Sequence, residues 1–354
     1  MGQKRHDFLQ MKRRIGAMSL VVAVAMLLAW PAGAIAQTST AGCPTAVGPV
    51  WVVDVRHVPS CQPFSVDNPS VRYEYQTADG CWQAADWHHF QSSLDDCMPT
   101  VVFVHGNNTS ASLAKREGLE LIRVIQKKQP HLPVRLVIWS WPSDRAQTGP
   151  LRDIRAKAVM ADHQATRLAG WLESIGTSMP VGLVGYSFGA RAVNGAMRHL
   201  ANDPRTASGA PIRVALVAAA MDPDALYGRS GWRLPRLDSI VITRNRDDSA
   251  LRWYPLLNRH TGTQALGTVG VRSRPLGTNP LSVIDVTRTV GRQHNWFGYL
   301  RSPALQQRLA LFAFPNHRCD LVNAATEADG ARTVGTSAAQ DPTPSTAAAD
   351  RRLD

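Results

Sequence analysis

A chain of 354 residues, 44% of them hydrophobic, has room for one large α/β domain or two small ones once its ends are set aside. A charged fraction of 19% is ordinary for globular material and excludes a chain disordered throughout. The formal net charge of +12 reads first as a solvated basic face, with peripheral contact to anionic envelope surfaces as the alternative, and no basic run is interleaved with aromatics, so no nucleic-acid partner is expected.

The N-terminus reads as a targeting segment. Lys12, Arg13 and Arg14 precede the apolar run "AMSLVVAVAMLLAW" at residues 17–30, and Ala34-Ile35-Ala36 then forms an A-x-A site. Residues 1–36 are therefore expected to be a signal peptide, with Met11 an alternative start and an uncleaved anchor the competing reading. The apolar run is short for a membrane span. The mature chain is expected in the periplasm or outside the cell. Losing the five basic residues and one acid of the first fourteen positions would bring the charge to about +8.

All five cysteines lie beyond that site, where an oxidising compartment permits disulfides. Cys43 with Cys61 and Cys81 with Cys97 are the local pairings expected, and the odd number leaves one thiol over. No C-x-x-C pair supports a metal site.

Residues 37–99 are rich in Cys, Trp and turn residues. "VWVVDVRHV" and "VRYEYQ" alternate like strands and are expected to form an antiparallel edge leading into a sheet. From residue 100 to 322 strands and helices alternate. "TVVFVHG" reads as a buried parallel strand. The helix "SASLAKREGLELIRVIQKK" follows, with Ser110 or Ser112 as its cap. Strand "VRLVIWSW", the long helix "LRDIRAKAVMADHQATRLAGWLESI", strand "PVGLVGY" and helix "SFGARAVNGAMRHLAN" come next. "IRVALVAAAMD", "DSIVITRN" and "LSVIDVT" are further strands, and "NWFGYLRSPALQQRLALFAF" closes the core with helical character. Such alternation predicts a doubly wound, mostly parallel sheet with ligands at the carboxyl ends of its strands. Residues 323–354 hold almost no large apolar side chain and are expected to be a disordered tail.

Chemistry-bearing residues fall at those strand ends. Ser187 lies between Gly185 and Gly189 in "GYSFG", at a strand-to-helix junction where small neighbours permit a sharp turn exposing the hydroxyl. A serine nucleophile needs a base, and the base needs an acid to hold its tautomer. The developing oxyanion needs amide donors. Here they are expected to be the N–H of Phe188, next after the serine, and that of Asn107 in "FVHGNNTS", with His105 structural in that loop. Asn107 and Asn108 also begin overlapping glycosylation sequons.

Together "FVHGNNTS", "VIWSWPSD", "LVGYSFGARAV", "RNRDDSAL" and "QHNWF" resemble the α/β-hydrolase superfamily, in a branch of largely uncharacterised bacterial serine hydrolases, over about residues 100–314. Tyr186 stands where that branch often has His. The resemblance implies an α/β-hydrolase fold and a serine esterase or lipase-like enzyme without metal or organic cofactor. Its substrate would be a small-molecule or lipid carboxylic ester.

In this fold the chain order is serine, acid, histidine. His294, after "LSVIDV", is the favoured base and His260 its competitor. Asp248 is the favoured acid, with Asp222 the alternative and Asp247 a third. His88, His89, His131, His163 and His199 read as surface or packing residues. The aromatics of "WSWPSD", Trp139 and Trp141, either wall a pocket or pack the loop, and residues 226–237 are placed to cover the site. A non-catalytic binding protein of the cell envelope on the same fold is the alternative function. A triacylglycerol lipase is a narrower one.

The targeting reading is checked by intact mass after expression in a secreting bacterial host. A mature N-terminus at Gln37 is expected; a chain still starting at Met1 or Met11 would mean an anchor.

Overall fold

A computed structural model describes residues 48–59, 62–144, 149–226, 234–257, 262–271 and 281–315, with the backbone alone for 150 and 151. The targeting segment, His260, most of the 226–237 segment and the tail fall outside these residues.

Among the described residues nine strands form one sheet: β1 (Val50–Asp54), β2 (Arg72–Gln76), β3 (Trp82–Ala85), β4 (Thr100–Val104), β5 (Arg135–Ser140), β6 (Val181–Tyr186), β7 (Ile212–Val217), β8 (Leu237–Arg244) and β9 (Leu281–Asp285). Their spatial order is β3-β2-β1-β5-β4-β6-β7-β8-β9. All neighbours from β1 to β9 run parallel. Only the β1–β2 and β2–β3 pairs are antiparallel. The antiparallel edge expected from residues 37–99 is thus β2 and β3, whereas β1 joins the parallel set through β5.

The helices are α1 (Trp87–Ser92), α2 (Ala111–Lys128), α3 (Pro150–Ser174), α4 (Phe188–Asn202), the short α5 (Leu266–Val269) and α6 (Thr287–Val290), α7 (Trp296–Leu300) and α8 (Pro303–Ala310). Ser110, rather than Ser112, caps α2 by accepting from the Leu113 amide at 3.2 Å. The closing helical stretch is broken at Ser302, which caps α8, with Pro303 at its first position.

Side-chain alternation along β5 shows why both faces are covered. Ile138 lies under α2, against the Cα of Gly118, while its neighbour Trp139 donates to Gln164 of α3 at 3.3 Å and packs on Trp171 of the same helix. Successive strand residues face opposite ways, so α2 and α3 lie on opposite sides of the sheet. Phe103 of β4 is in register with Ile138 and therefore shares the α2 face, where Trp296 of α7 meets it at 4.7 Å between ring centroids. The strands are buried nearly throughout from β4 to β7, which explains their uninterrupted apolar runs.

Strand order reverses at β4. The chain leaves β4 for β5 on one side and returns, through α3, to β6 on the other. The loops after β4 and β6 consequently part at the carboxyl edge, which is where such sheets form a crevice.

Cys97 is disulfide-bonded and Cys81, exposed in the β2–β3 turn, is a free thiol. The expected Cys81–Cys97 pairing is therefore corrected: neighbourhood in sequence does not bring these two together. Cys43 and Cys61 lie outside the described residues.

The Phe103–Trp296 contact ties α7 to the sheet. Phe103→Ala should leave a cavity under that helix and cost about 3–5 kcal/mol in urea unfolding; a loss below about 1 kcal/mol would mean that α7 does not depend on it.

Candidate active site

Ser187 sits between β6 and α4 with φ 54 and ψ −117, a sparsely populated region for a residue with a side chain. Such a conformation costs about 1–3 kcal/mol and persists only where its surroundings over-determine it. Here they do. The Ser187 amide donates to the Val217 carbonyl of β7 at 2.9 Å, and the Ser187 carbonyl accepts from Ala190 at 3.1 Å and Ala220 at 3.3 Å. Glycine is required at 189, where a Cβ would lie 2.0 Å from the Val104 carbonyl oxygen. Gly185 is crowded in the same way by the backbone of Ala190.

His294 arrives from the turn between α6 and α7. Its Nε2 lies 3.0 Å from Ser187 Oγ and its Nδ1 lies 2.7 Å from Asp248 Oδ2. An ionised carboxylate only accepts, so Nδ1 carries the proton and Nε2 offers its lone pair to the serine hydroxyl. The ring stacks on Tyr186, 5.5 Å between centroids, and the Tyr186 hydroxyl donates to the His294 carbonyl at 3.0 Å. Tyr186, the position at which the sequence departs from its resemblance, thus carries the base.

Asp248, in the loop after β8, is wholly buried. Its Oδ1 accepts from the amides of Ala250 at 3.0 Å and Leu251 at 2.9 Å. Its Oδ2 accepts from His294 and from the Tyr299 hydroxyl at 2.6 Å. Burial pushes this carboxyl up, but the His294 charge and the donated hydrogen bonds outweigh burial and hold it below its ordinary value. Burial and the Asp248 carboxylate push the Tyr299 phenol the other way, so it remains a donor. Asn245, also buried, donates to the Gly291 carbonyl at 2.8 Å and so fastens the acid loop to the histidine loop.

The other acid candidates are not brought to His294. Asp222 accepts from Thr263 Oγ1 at 3.2 Å, and Asp247 is exposed. His88, His89, His131, His163 and His199 are exposed. His199 pairs with Thr166 across α3 and α4. Trp139 and Trp141 are fully buried, so they pack the loop and do not wall an open pocket.

The loop after β4 comes close to the serine: a Cβ on Gly106 would lie 3.2 Å from Ser187 Cβ. Asn108 and Thr109 donate their amides to Ser143, at 2.8 and 3.2 Å. Among the described residues the Asn107 amide donates to nothing. Phe188 opens α4, where an amide has no acceptor one turn back. His105 is buried and stacks on Trp141. Burial and the adjacent Arg56 charge push its imidazole down to about 3. It is therefore a neutral strut, as its place in the loop suggests.

Tyr299, Tyr186 and Asn245 are the polar members that sequence reasoning missed. Both tyrosines lie in apolar segments and read as core; only their spacing near the serine and the late histidine sets them apart.

A strained serine ending a central parallel strand, followed in the chain by a carboxylate and then a histidine, is the order and setting expected from the resemblance to α/β hydrolases. No protein-family model matches the chain, and no curated sequence matches it. Among solved structures it is similar to a lipase-esterase related protein from Clostridium acetobutylicum, at 10% identity and a TM-score of 0.30 over 62% of this chain and 96% of that one. It is also similar to a pyrethroid hydrolase from Sphingobium faniae (13%, 0.32, 62% and 98%). An acetylxylan esterase is comparable (11%, 0.31, 61% and 97%). Likeness at this level assigns neither activity nor substrate to this chain.

The Asp248 shift has a consequence for stability. A carboxyl held below its unfolded value of about 3.9 adds stability that is complete above that pH and lost as pH falls through the folded value. Asp248→Asn is therefore expected to be less stable than wild type near neutrality and to lose less on acidification from about pH 5 to about pH 3, in urea unfolding. An unchanged acid slope would mean that Asp248 is not held ionised.

Proposed function

We propose that the protein is an exported serine hydrolase that cleaves a carboxylic ester through an acyl-enzyme intermediate. The observation that carries this reading is the continuous chain Ser187 Oγ to His294 Nε2 and His294 Nδ1 to Asp248, at 3.0 and 2.7 Å. In the proposed reaction His294 takes the serine proton as Oγ attacks the acyl carbon, and Asp248 stabilises the imidazolium so formed. The amides of Phe188 and Asn107 receive the negative charge of the tetrahedral intermediate, assisted by the N-terminal end of α4. Protonated His294 then gives its proton to the leaving alkoxide. A water molecule deprotonated by His294 attacks the acyl-serine, and the acid product leaves with Ser187 restored.

Export is supported by the sequence of residues 1–36 and by the disulfide at Cys97, a bond characteristic of oxidising compartments. No helix among the described residues is long and apolar enough to cross a membrane.

The test uses the mature protein with a fluorophosphonate probe and p-nitrophenyl esters of graded chain length. Wild type should label and turn over, and Ser187→Ala should not label and should lose roughly 10^4- to 10^6-fold in kcat. Equal labelling of the two would reject the nucleophile. A folded wild type inert to the probe and to every ester would favour the binding-protein alternative.

A further inference from the structure

Asn107 is flanked on both sides by residues held through one guanidinium group. Arg56 follows β1, and its side chain is only 8% exposed. Its Nη2 lies 3.2 Å from His105 Nε2 and donates to the Thr109 carbonyl at 2.8 Å. One nitrogen therefore spans the arc from two residues before Asn107 to two residues after it. Nε donates to Ser140 Oγ at the end of β5, at 2.8 Å, and Nη1 pairs with Asp144.

The chemistry at His105 makes this contact directional. Nε2 also receives the Trp141 amide, at 3.1 Å. Neither a guanidinium nor an amide N–H can accept, so Nε2 is unprotonated and Nδ1 carries the proton, which it donates to the Gly106 carbonyl at 2.9 Å. Among the described residues, the remaining ties on the arc come from the loop after β5: Ser143 holds Asn108 and Thr109, and Trp141 Nε1 donates to the His105 carbonyl. Arg56 alone among these partners comes from β1 and references the arc to a third strand. Asn108, at φ 56, turns the arc through the left-handed conformation that asparagine tolerates better than most residues. A planar fork with fixed donor directions suits this task, and a lysine ammonium does not.

We propose that Arg56 is a positioning residue for ester hydrolysis: by bridging His105 and Thr109 it sets the direction of the Asn107 amide toward the oxyanion. This rests on the serine-hydrolase reading above. Arg56 touches neither substrate nor serine, and it acts through the loop.

The experiment compares wild type, Arg56→Lys, Arg56→Met and Asp144→Asn on p-nitrophenyl butyrate, with phenylboronic acid as a tetrahedral-adduct inhibitor and thermal melting as the check on folding. Arg56→Lys and Arg56→Met should lose about 10^2-fold in kcat, the scale of one oxyanion donor, with KM within about threefold. Phenylboronic acid affinity should fall alongside kcat, because it reads the tetrahedral state that KM does not. A loss of packing alone would shift melting without that split. Should the Arg56 variants fail to fold, Asp144→Asn decides: its carboxylate is 59% exposed, so folding is retained, and kcat and boronate affinity should fall together by roughly 3- to 10-fold. Folded variants with wild-type kcat, or a kcat loss without a change in boronate affinity, would overturn the proposal while leaving Ser187 labelling intact. A wild type that neither labels nor turns over would instead remove the reading on which the proposal rests.

Discussion

The backbone of Ser187 is the constraint around which the rest of the site is arranged. A serine at φ 54 and ψ −117 is not held by its own preferences. It is held because β7 receives its amide, because α4 begins at the next residue, and because Gly189 lets that helix press against the carbonyl of Val104 on β4. The amide bond reaches β7 and the helix contact reaches β4, the strands on either side of β6. The strain is maintained here in the middle of the sheet, with buried strands on either side. The same pressing together brings the loop after β4 against the serine at Gly106. Presentation of the hydroxyl to His294 and placement of the nearby amides are thus one packing event.

Two buried carboxyls show how the surroundings choose a charge state. Asp248 receives four donors, from two amides, a histidine and a tyrosine, and stays below its ordinary value despite burial. Glu117, on α2 beneath Tyr186, is almost as deeply buried, yet its Oε2 accepts nothing among the described residues. Burial raises it to about 8, so it is mostly neutral at pH 7. An ionised carboxylate there would act on the Tyr186 phenol, which already senses Asp248.

What was legible in the sequence follows from the range of the interactions involved. The strand-to-helix junction at Ser187, the cap at Ser110 and the late position of His294 depend on neighbours in the chain, and local pattern carries them. The choice among Asp222, Asp247 and Asp248 does not. Asp222 and Asp248 both follow strands of the parallel set, and the choice turns on Tyr299 and His294, about fifty residues further on. Strand direction is equally invisible in a pattern of alternation: β1 reads like β2, yet it pairs with β5 across some eighty intervening residues. The aromatics of "WSWPSD" carry no mark of whether they face a pocket or a core. Cys81 and Cys97 misled because spacing says nothing about the turn that holds Cys81 out at the sheet edge.

Long-range placement also explains why a strand from the N-terminal region belongs to the site. An oxyanion donor must be correct to a fraction of an ångström, and a loop tied only to the adjacent loop would share that loop's movements. Fastening the arc of residues 105–109 to the end of β1 as well as to the end of β5 references it to the sheet itself. The tie is made by a group that donates in several fixed directions, since the partners are a histidine lone pair, a carbonyl, a hydroxyl and a carboxylate. Arginine meets this condition. With Arg56 bound at Nε2, His105 has no site there for a second proton, and its other nitrogen already holds the first. The loop beside the serine is thereby kept in one protonation state near neutrality.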